Sequence, residues 1–449
     1  MSVNLETGAG LTHEIARRAL AVRFADLPGE IRALARQCIL DTLGVALAGA
    51  DDELVRILAA ELAEQGGNPA AGVIGSDVRL PALSAALLNG TMAHALDYDD
   101  VNLAMPGHPS VAVLPAVLAL AEERGASGEA LLTAFVAGYE TACQVGLLVG
   151  PGHYNTLGFH ATGTIGTFGA AAACAHLLGL SEAQTVHALG IAATQAAGLK
   201  SMFGTMCKPL HAGKAAYHGL LAARLAARGF TARPDSLECA QGFARTHSGD
   251  FNPAAALAAP EGGWHIRHNL FKYHAACYLT HAGIETARKL RLDHAITPDR
   301  VAAITLRVDE TTDRVCNIAA PATGLEAKFS LRLTAAMALA GRETGRLDLY
   351  TAETAADPAL VALRDRVVID FQKGWPNTRA EMDIRLTDQT TVHAGHDAGI
   401  PAADVAEQGG RLEAKFAGLV SPLLGEARTA ALIDEVAGID RRENVAGLI

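Results

Sequence analysis

Four stretches of this sequence combine residue types that move protons or hold anions. The first is NGTMAHALDYDD (89–100), followed closely by Gly107-His108-Pro109-Ser110. A helix over 84–98 would put His94 and Asp97 on one face, with Thr91 a turn earlier. Asp97, Asp99 and Asp100 would then sit at a helix C-terminus, where the macrodipole disfavours carboxylates, so partners or a task are expected for them. A solvated acidic loop is the bland alternative. Half of a Mg²⁺–diphosphate site is the sharper one, but such a site needs a second acidic cluster and the sequence has none. The second stretch, Gly158-Phe159-His160-Ala161-Thr162-Gly163, follows a Gly/Pro/Asn loop of the kind that lines cavities. His160 is therefore read as catalytic or substrate-contacting, ahead of a satisfied core histidine. His176, His187 and His218 lack that context and are read as structural.

The third stretch runs from Gly198 to Lys214. Lys208 precedes Pro209, which suits a first helical position, so free N–H groups, the positive dipole end and an ammonium would coincide as an anion site. Carboxylate fits as well as phosphate, and without a Walker-type glycine–lysine motif nucleotide binding is set aside. Lys200 and Lys214 read as surface residues first, and Cys207 as a passive small one. The fourth stretch is HNLFKYHAAC (268–277). Lys272 in its aromatic surround is either a second carboxylate clamp or a snorkelling lysine beside a packed Tyr273–His274 pair.

The elements that must position these groups are mostly helical. The chain has 449 residues, 50% hydrophobic and 19% charged, enough for a large core divided among two or three domains. A net charge of -11 without a basic block argues against nucleic acid or an anionic membrane surface as partner. The N-terminus has neither a basic nor an apolar leader region, so no secretory signal is expected. Seven scattered cysteines without metal-ligand spacing point to free thiols, a reducing cytoplasm, and neither zinc nor an iron–sulfur cluster.

From Thr141 to Leu199 the only Asp, Glu, Lys or Arg is Glu182. Gly150, Pro151, His153, Asn155 and His160 break this stretch into pieces too polar for lipid, so buried helices of a soluble core are expected. Ser181-Glu182-Ala183-Gln184 reads as a capping box, with Gly179 and Gly198 as helix stops. Gly163, Gly166, Gly169, Ala170 and Ala173 allow close helix approach. The helix opened by Pro209 should run to Gly229 with Leu220, Leu221 and Leu225 inward. The first strand patterns come late, at 301–309, 366–372 and 380–394, with helical patterns at 278–291 and 326–340 between them and a helical tail from about 403. The whole reads as mainly α: a large helical domain built from both chain ends (1–267 and 397–449) and an inserted α+β domain (268–396).

DTLGVALAGA (41–50), LLNGTMAHALDYDD (87–100), HPSVAVLPAVLALAE (108–122), FHATGTIGTFGAAAA (159–173), MCKPLHAGKAA (206–216) and AKFSLRLTAAMAL (327–339) closely resemble, in order and over nearly the whole chain, the MmgE/PrpD family. Its members include 2-methylcitrate dehydratase, cis-aconitate decarboxylase and iminodisuccinate epimerase. The resemblance implies a homodimer whose α+β unit is a lid, a cofactor-free site between the domains, and a small di- or tricarboxylate as substrate. It implies active-site positions at Asp97, His108, His160, Lys208 and Lys272. His108 or His160 would exchange the proton, Asp97 would orient or charge an imidazole, and Lys208 and Lys272 would bind carboxylates, with Lys200 and Cys277 as further contacts. The decarboxylase branch has Thr at Val101, His near Cys277 and Tyr near Leu333, and its loop before His108 is one residue shorter. A lyase of the 2-methylcitrate dehydratase type is therefore expected first, then an epimerase, then a decarboxylase, then an idle dimeric binding protein.

Overall fold

A computed structural model describes residues 10–448, so the segment read for a leader lies outside the described residues. The chain forms two compact units: one runs to Asn269 and resumes at Ala403, and the other is Leu270–Ala402.

The first unit is helical. Its elements include α1 (Leu11–Ala21), α2 (Gly29–Gly49), α3 (Glu53–Gln65), α4 (Ala82–His94), α5 (Pro109–Arg124), α6 (Gly128–Asn155), α7 (Ala161–Leu177), α8 (Glu182–Ala193) and α9 (Cys207–Ala227). A two-residue ladder, β1 (Ala71–Gly72) with β2 (Arg79–Leu80), precedes α4 and was too short to register as a strand pattern. Helix α7 packs against α5, α6, α8 and α9, and its first fifteen residues are all buried. The glycine stripe makes this possible: a Cβ at Gly166 would stand 2.6 Å from Ala112 Cβ, and one at Gly169 would stand 2.8 Å from the Gly138 carbonyl. Helix α6 is long and apolar enough to cross a membrane, yet 94% of its apolar window is buried, as expected of a core helix.

The capping box at Ser181 is formed, and Gly179 takes a left-handed φ of +64° after α7. Gly198 is not a helix stop. Helix α8 already ends at Ala193, and the Gly198 carbonyl instead accepts from the His160 amide at 2.9 Å. In α9 only Leu220 of the three leucines is fully buried, because Leu221 and Leu225 lie at the edge of the packed face. The returning helix Val405–Leu424 packs on α2.

The second unit holds a four-stranded sheet in the order β4-β3-β5-β6, from β3 (Val301–Asp309), β4 (Val367–Gln372), β5 (Arg379–Leu386) and β6 (Thr391–Asp397). β3 and β4 are parallel, as their long helical connection requires, while β3–β5 and β5–β6 are antiparallel. The pattern over 380–394 is thus a hairpin whose turn includes Gln389 at φ +73°. Ile304, Leu306 and Val308 face Ile384, Met382 and Ala380 across the ladder, forming its buried face. On the other face Arg307 bridges Asp383 at 2.6 Å and Asp370 at 3.3 Å.

Glu140 in α6 is a buried carboxyl that ties the segment after Trp264 to the helical core by accepting the His265 and Ile266 amides, both at 2.9 Å. Burial pushes its pKa up to about 7 against those two hydrogen bonds. Between the unfolded value near 4.5 and about 7 the native state keeps a proton that the unfolded chain has lost, so this group's contribution to stability falls as pH rises through that window. Glu140→Gln abolishes the titration. The stability of that variant relative to wild type should rise by about 1 kcal/mol per pH unit across the window and level off above it. Thermal melts at pH 5, 6, 7 and 8 measure this.

Candidate active site

Helix α4 ends at His94, earlier than its sequence pattern suggests, and Asp97 takes a left-handed φ of +50°. His94 and Asp97 therefore do not share a helix face. The chain turns through Asp97 and lays Asp99 back against the last residue of α4. A non-glycine residue in that region carries strain of about 1–2 kcal/mol, tolerated where surrounding contacts fix the backbone. One such contact comes from the returning C-terminal helix: Lys415 Nζ donates to the Tyr98 carbonyl at 2.7 Å and to Asp41 Oδ1 at 2.6 Å.

Asp99 is wholly buried and is the hub of the site. His94 Nδ1 lies 3.0 Å from both of its oxygens, and His108 Nδ1 lies 2.9 Å from Oδ2. Burial alone would raise this carboxyl, but the two imidazoles outweigh it and hold Asp99 well below the usual carboxylate range. Burial lowers His94 to about 4, so near neutral pH it is an uncharged ring that donates from Nδ1 and leaves a buried Nε2 without a hydrogen-bond partner. With Nδ1 of His108 on Asp99, its Nε2 faces the other way, 3.7 Å from Asp97 Oδ1. That same Asp97 oxygen holds Lys208 Nζ at 2.8 Å. Asp97, expected to orient an imidazole, lies beside His108 Nε2 and holds the Lys208 ammonium, while the acid at His108 Nδ1 is Asp99.

Asp100 completes the acidic run, accepting from the Ser110 hydroxyl and, at 3.4 Å, from its amide. Burial, together with the nearby Asp41 and Asp99 charges, raises it to about 8 against the Ser110 hydrogen bonds. All three acids therefore have partners, as their position after a helix demanded.

His160 precedes α7 just as His108 precedes α5. Its ring stacks on His94 (5.8 Å, 19°), meets Phe203 edge-on (4.9 Å), and brings Nδ1 to 3.0 Å from His211 Nδ1. Burial first, then the neighbouring imidazoles and the Lys208 ammonium, hold His160 well below the usual imidazole range. The His108 amide donates to Thr162 Oγ1 at 3.1 Å, tying the starts of α5 and α7 together. Lys208 lies in the first turn of α9, with its ammonium 5.3 Å from the Phe203 ring. None of the three N-cap residues caps its helix with its own side chain, but the start of α5 is engaged by Asp100, which accepts the Ser110 amide, and the start of α9 by Thr205 Oγ1, which accepts the Cys207 amide at 3.2 Å. His94, Asp97, Asp99 and His108 offer ligand atoms within 4.8 Å of one another, a set that fits a divalent cation, although Lys208 already supplies a positive charge at Asp97.

Lys200 is engaged elsewhere: Nζ donates to the Tyr154 carbonyl at 3.1 Å and sits 3.8 Å from that ring's centre, bracing its loop. Lys272 and Cys277 belong to the second unit. Lys272 is buried there, and the Cys277 amide donates to the Lys328 carbonyl at 2.9 Å while its thiol meets that of Cys316. Cys207 is exposed, and His176 and His187 bond backbone carbonyls, in keeping with structural roles. The sequence reading named His94 and Asp99 in the first stretch without giving them site roles, and it did not single out His211 or Phe203. The i, i+2 spacing of Asp97 and Asp99 was the available sign that a turn points them in different directions.

The cluster sets an imidazole whose Nδ1 faces a buried carboxylate beside an ammonium in the first turn of α9. The MmgE/PrpD N-terminal domain model matches residues 13–256 and the C-terminal domain model matches 274–439. Cis-aconitate decarboxylase of Homo sapiens is 31% identical over 344 residues, 74% of this chain and 71% of that protein. The Mus musculus enzyme is 30% identical over 348 residues (74% and 69%), and the Aspergillus terreus enzyme 31% over 307 (65% and 62%). The chain belongs to the MmgE/PrpD family, enzymes that act on carboxylic acids.

Asp99→Asn keeps the shape of the hub and removes the charge that fixes two imidazoles. It should lower kcat by about 10²–10⁴-fold, the range of a general acid–base contribution, with little change in KM. Asp97→Asn, which releases Lys208, should act mainly on KM. Steady-state kinetics on the acid identified by the assay below separate the two patterns.

Proposed function

We propose that the protein is a lyase of small di- or tricarboxylates that moves a proton at the carbon beside a carboxylate and expels water, as a 2-methylcitrate dehydratase does. The observation that carries this reading is the placing of His108, with Asp99 on Nδ1 and the Asp97–Lys208 pair on the side of Nε2. A proton next to a carboxylate is weakly acidic, so its removal needs a base and a positive group for the charge that develops. His108 Nε2 is the base in this scheme, and the imidazolium it becomes is stabilised by Asp99 and Asp97. Lys208 and the start of α7 receive the substrate carboxylate. His160 is the second proton-transfer group, as anti elimination requires. Lys272 keeps the clamp role that the family resemblance gives it.

Decarboxylation is the second reading, favoured by the names of the relatives. Against it stand Val101, Cys277 and Leu333, where the resemblance places Thr, His and Tyr. Leu333 is fully buried in the helix Leu331–Leu339 and has no group to exchange a proton.

Incubation with 2-methylcitrate, citrate, cis-aconitate and iminodisuccinate in deuterium oxide tests the proposal. Absorbance from a new conjugated alkene is the expected result. Carbon dioxide release from cis-aconitate would replace dehydration by decarboxylation, and deuterium at the α-carbon without alkene would make the protein an epimerase. No turnover, with no acid raising the melting temperature, would mark an idle binding protein. In the active case His108→Asn should cost about 10²–10⁴-fold in turnover, and a near-wild-type rate would remove His108 from the mechanism.

A further inference from the structure

His211 touches the cluster, and no role assigned so far uses it. It lies in α9 one turn after Lys208, with its ring centre 5.2 Å from that of His160 and the planes inclined at 53°. The two Nδ1 atoms are 3.0 Å apart, hydrogen-bond distance. Two Nδ1 atoms at that separation share one proton, so in the neutral pair one ring carries Nδ1–H and the other an Nδ1 lone pair. Their Nε2 atoms then have opposite character: the ring with Nδ1–H offers a basic Nε2, and its partner carries Nε2–H. The surroundings are shaped for this contact. A Cβ on Gly163 would lie 2.6 Å from the Ala197 carbonyl and 3.0 Å from His211 Cβ, so a larger residue there would crowd the His211 side of the pair, and one on Gly198 would touch His160 Cβ and His211 Cγ at 3.4 Å. His160 is 1% exposed and His211 9%, which makes His211 the outer member of the pair. Burial lowers the pKa of both rings, in keeping with a neutral pair.

We propose that His211 is the positioning residue and proton partner of His160, fixing its tautomer and linking it to solvent. The proposal rests on the reading of His160 as a proton-transfer group. As the substrate C–O bond breaks, His160 Nε2–H gives its proton to the departing hydroxyl, which leaves as water. The His211 Nδ1–H bond breaks as that proton passes to His160 Nδ1, and His211 Nε2 takes a proton from solvent. One proton leaves solvent, one reaches the leaving group, and neither ring holds a net charge at the end. The reverse sequence returns the proton to solvent and restores the pair.

The test begins with the resting protein labelled with ¹⁵N-histidine. Nitrogen shifts should show His160 and His211 as complementary tautomers, one Nδ1–H and one Nε2–H. Finding both in the same tautomer, or both doubly protonated at pH 7, overturns the proposal. This measurement needs no substrate, so it stands even if the acid panel finds no activity. The second arm uses the acid that the panel identifies. His211→Ala should lower kcat at least about tenfold with KM within about twofold, and added imidazole should restore part of the rate. The double variant His160→Ala/His211→Ala should not be rescued by imidazole acting at the outer position alone. A wild-type kcat in His211→Ala overturns the relay, as does a lost kcat that imidazole leaves unchanged in a variant that melts normally. Should that variant fail to fold, His211→Gln, which keeps a polar group at the contact, takes its place and should show the same kcat loss with unchanged KM.

Discussion

A single buried carboxylate shared by two imidazoles governs the arrangement of this site. Wholly buried, Asp99 is tolerable as an ion because His94 donates to it from Nδ1 and His108 turns Nδ1 to within 2.9 Å of it. The hydrogen bond fixes the tautomer of His94, and the short approach fixes which way the His108 ring faces. The arrangement also fixes the backbone, because Asp99 reaches the end of α4 only if the chain reverses through a left-handed Asp97. The base, the strained turn and the Lys208 anchor are consequences of one desolvated charge finding its partners.

The formal charge of the DYDD run overstates its electrostatic load. Asp97 is paired with Lys208, Asp99 is held by imidazoles, and burial and two nearby carboxylates push the Asp100 carboxyl well above the usual carboxylate range. Lys415 offsets Asp41 on the far side while gripping the Tyr98 carbonyl between Asp97 and Asp99. The last helices of the first unit thereby hold the reacting end of the site in place. Their connection to it is a lysine in a helix that by sequence alone is an ordinary amphipathic tail.

Much of this was legible beforehand. The helical body, the late strands and the capping box follow from periodicity and composition, while the grouping of Asp97, His108, His160 and Lys208 is what the family resemblance implied. The division of labour among the acids did not. A helical template carried through residue 98 paired His94 with Asp97, and local sequence says nothing of the left-handed turn that reassigns the partnership to Asp99. His211 was invisible for a related reason: it lies in a helix whose start drew attention to Lys208, and its contact with His160 bridges 51 positions of sequence. Lys200 failed in the opposite sense, since a lysine near a glycine loop suggests an anion site and nothing local reveals the Tyr154 ring beneath it.

Small residues decide whether such a cluster can exist at all. Where α4 meets α9, a Cβ on Gly90 would stand 2.9 Å from Gly213 Cα, and a Cβ on Gly213 would stand 2.1 Å from the Leu87 carbonyl. The two helices touch backbone to backbone there. The end of α4 and the start of α9 can then meet closely enough for Asp97 to receive Lys208. Alanine at either position would drive the helices apart by more than the few tenths of an ångström that an ion pair and a shared imidazole tolerate. The low aromatic content and abundant glycine of the chain are thus tied to the cluster: backbones must approach closely for charged side chains on separate helices to meet.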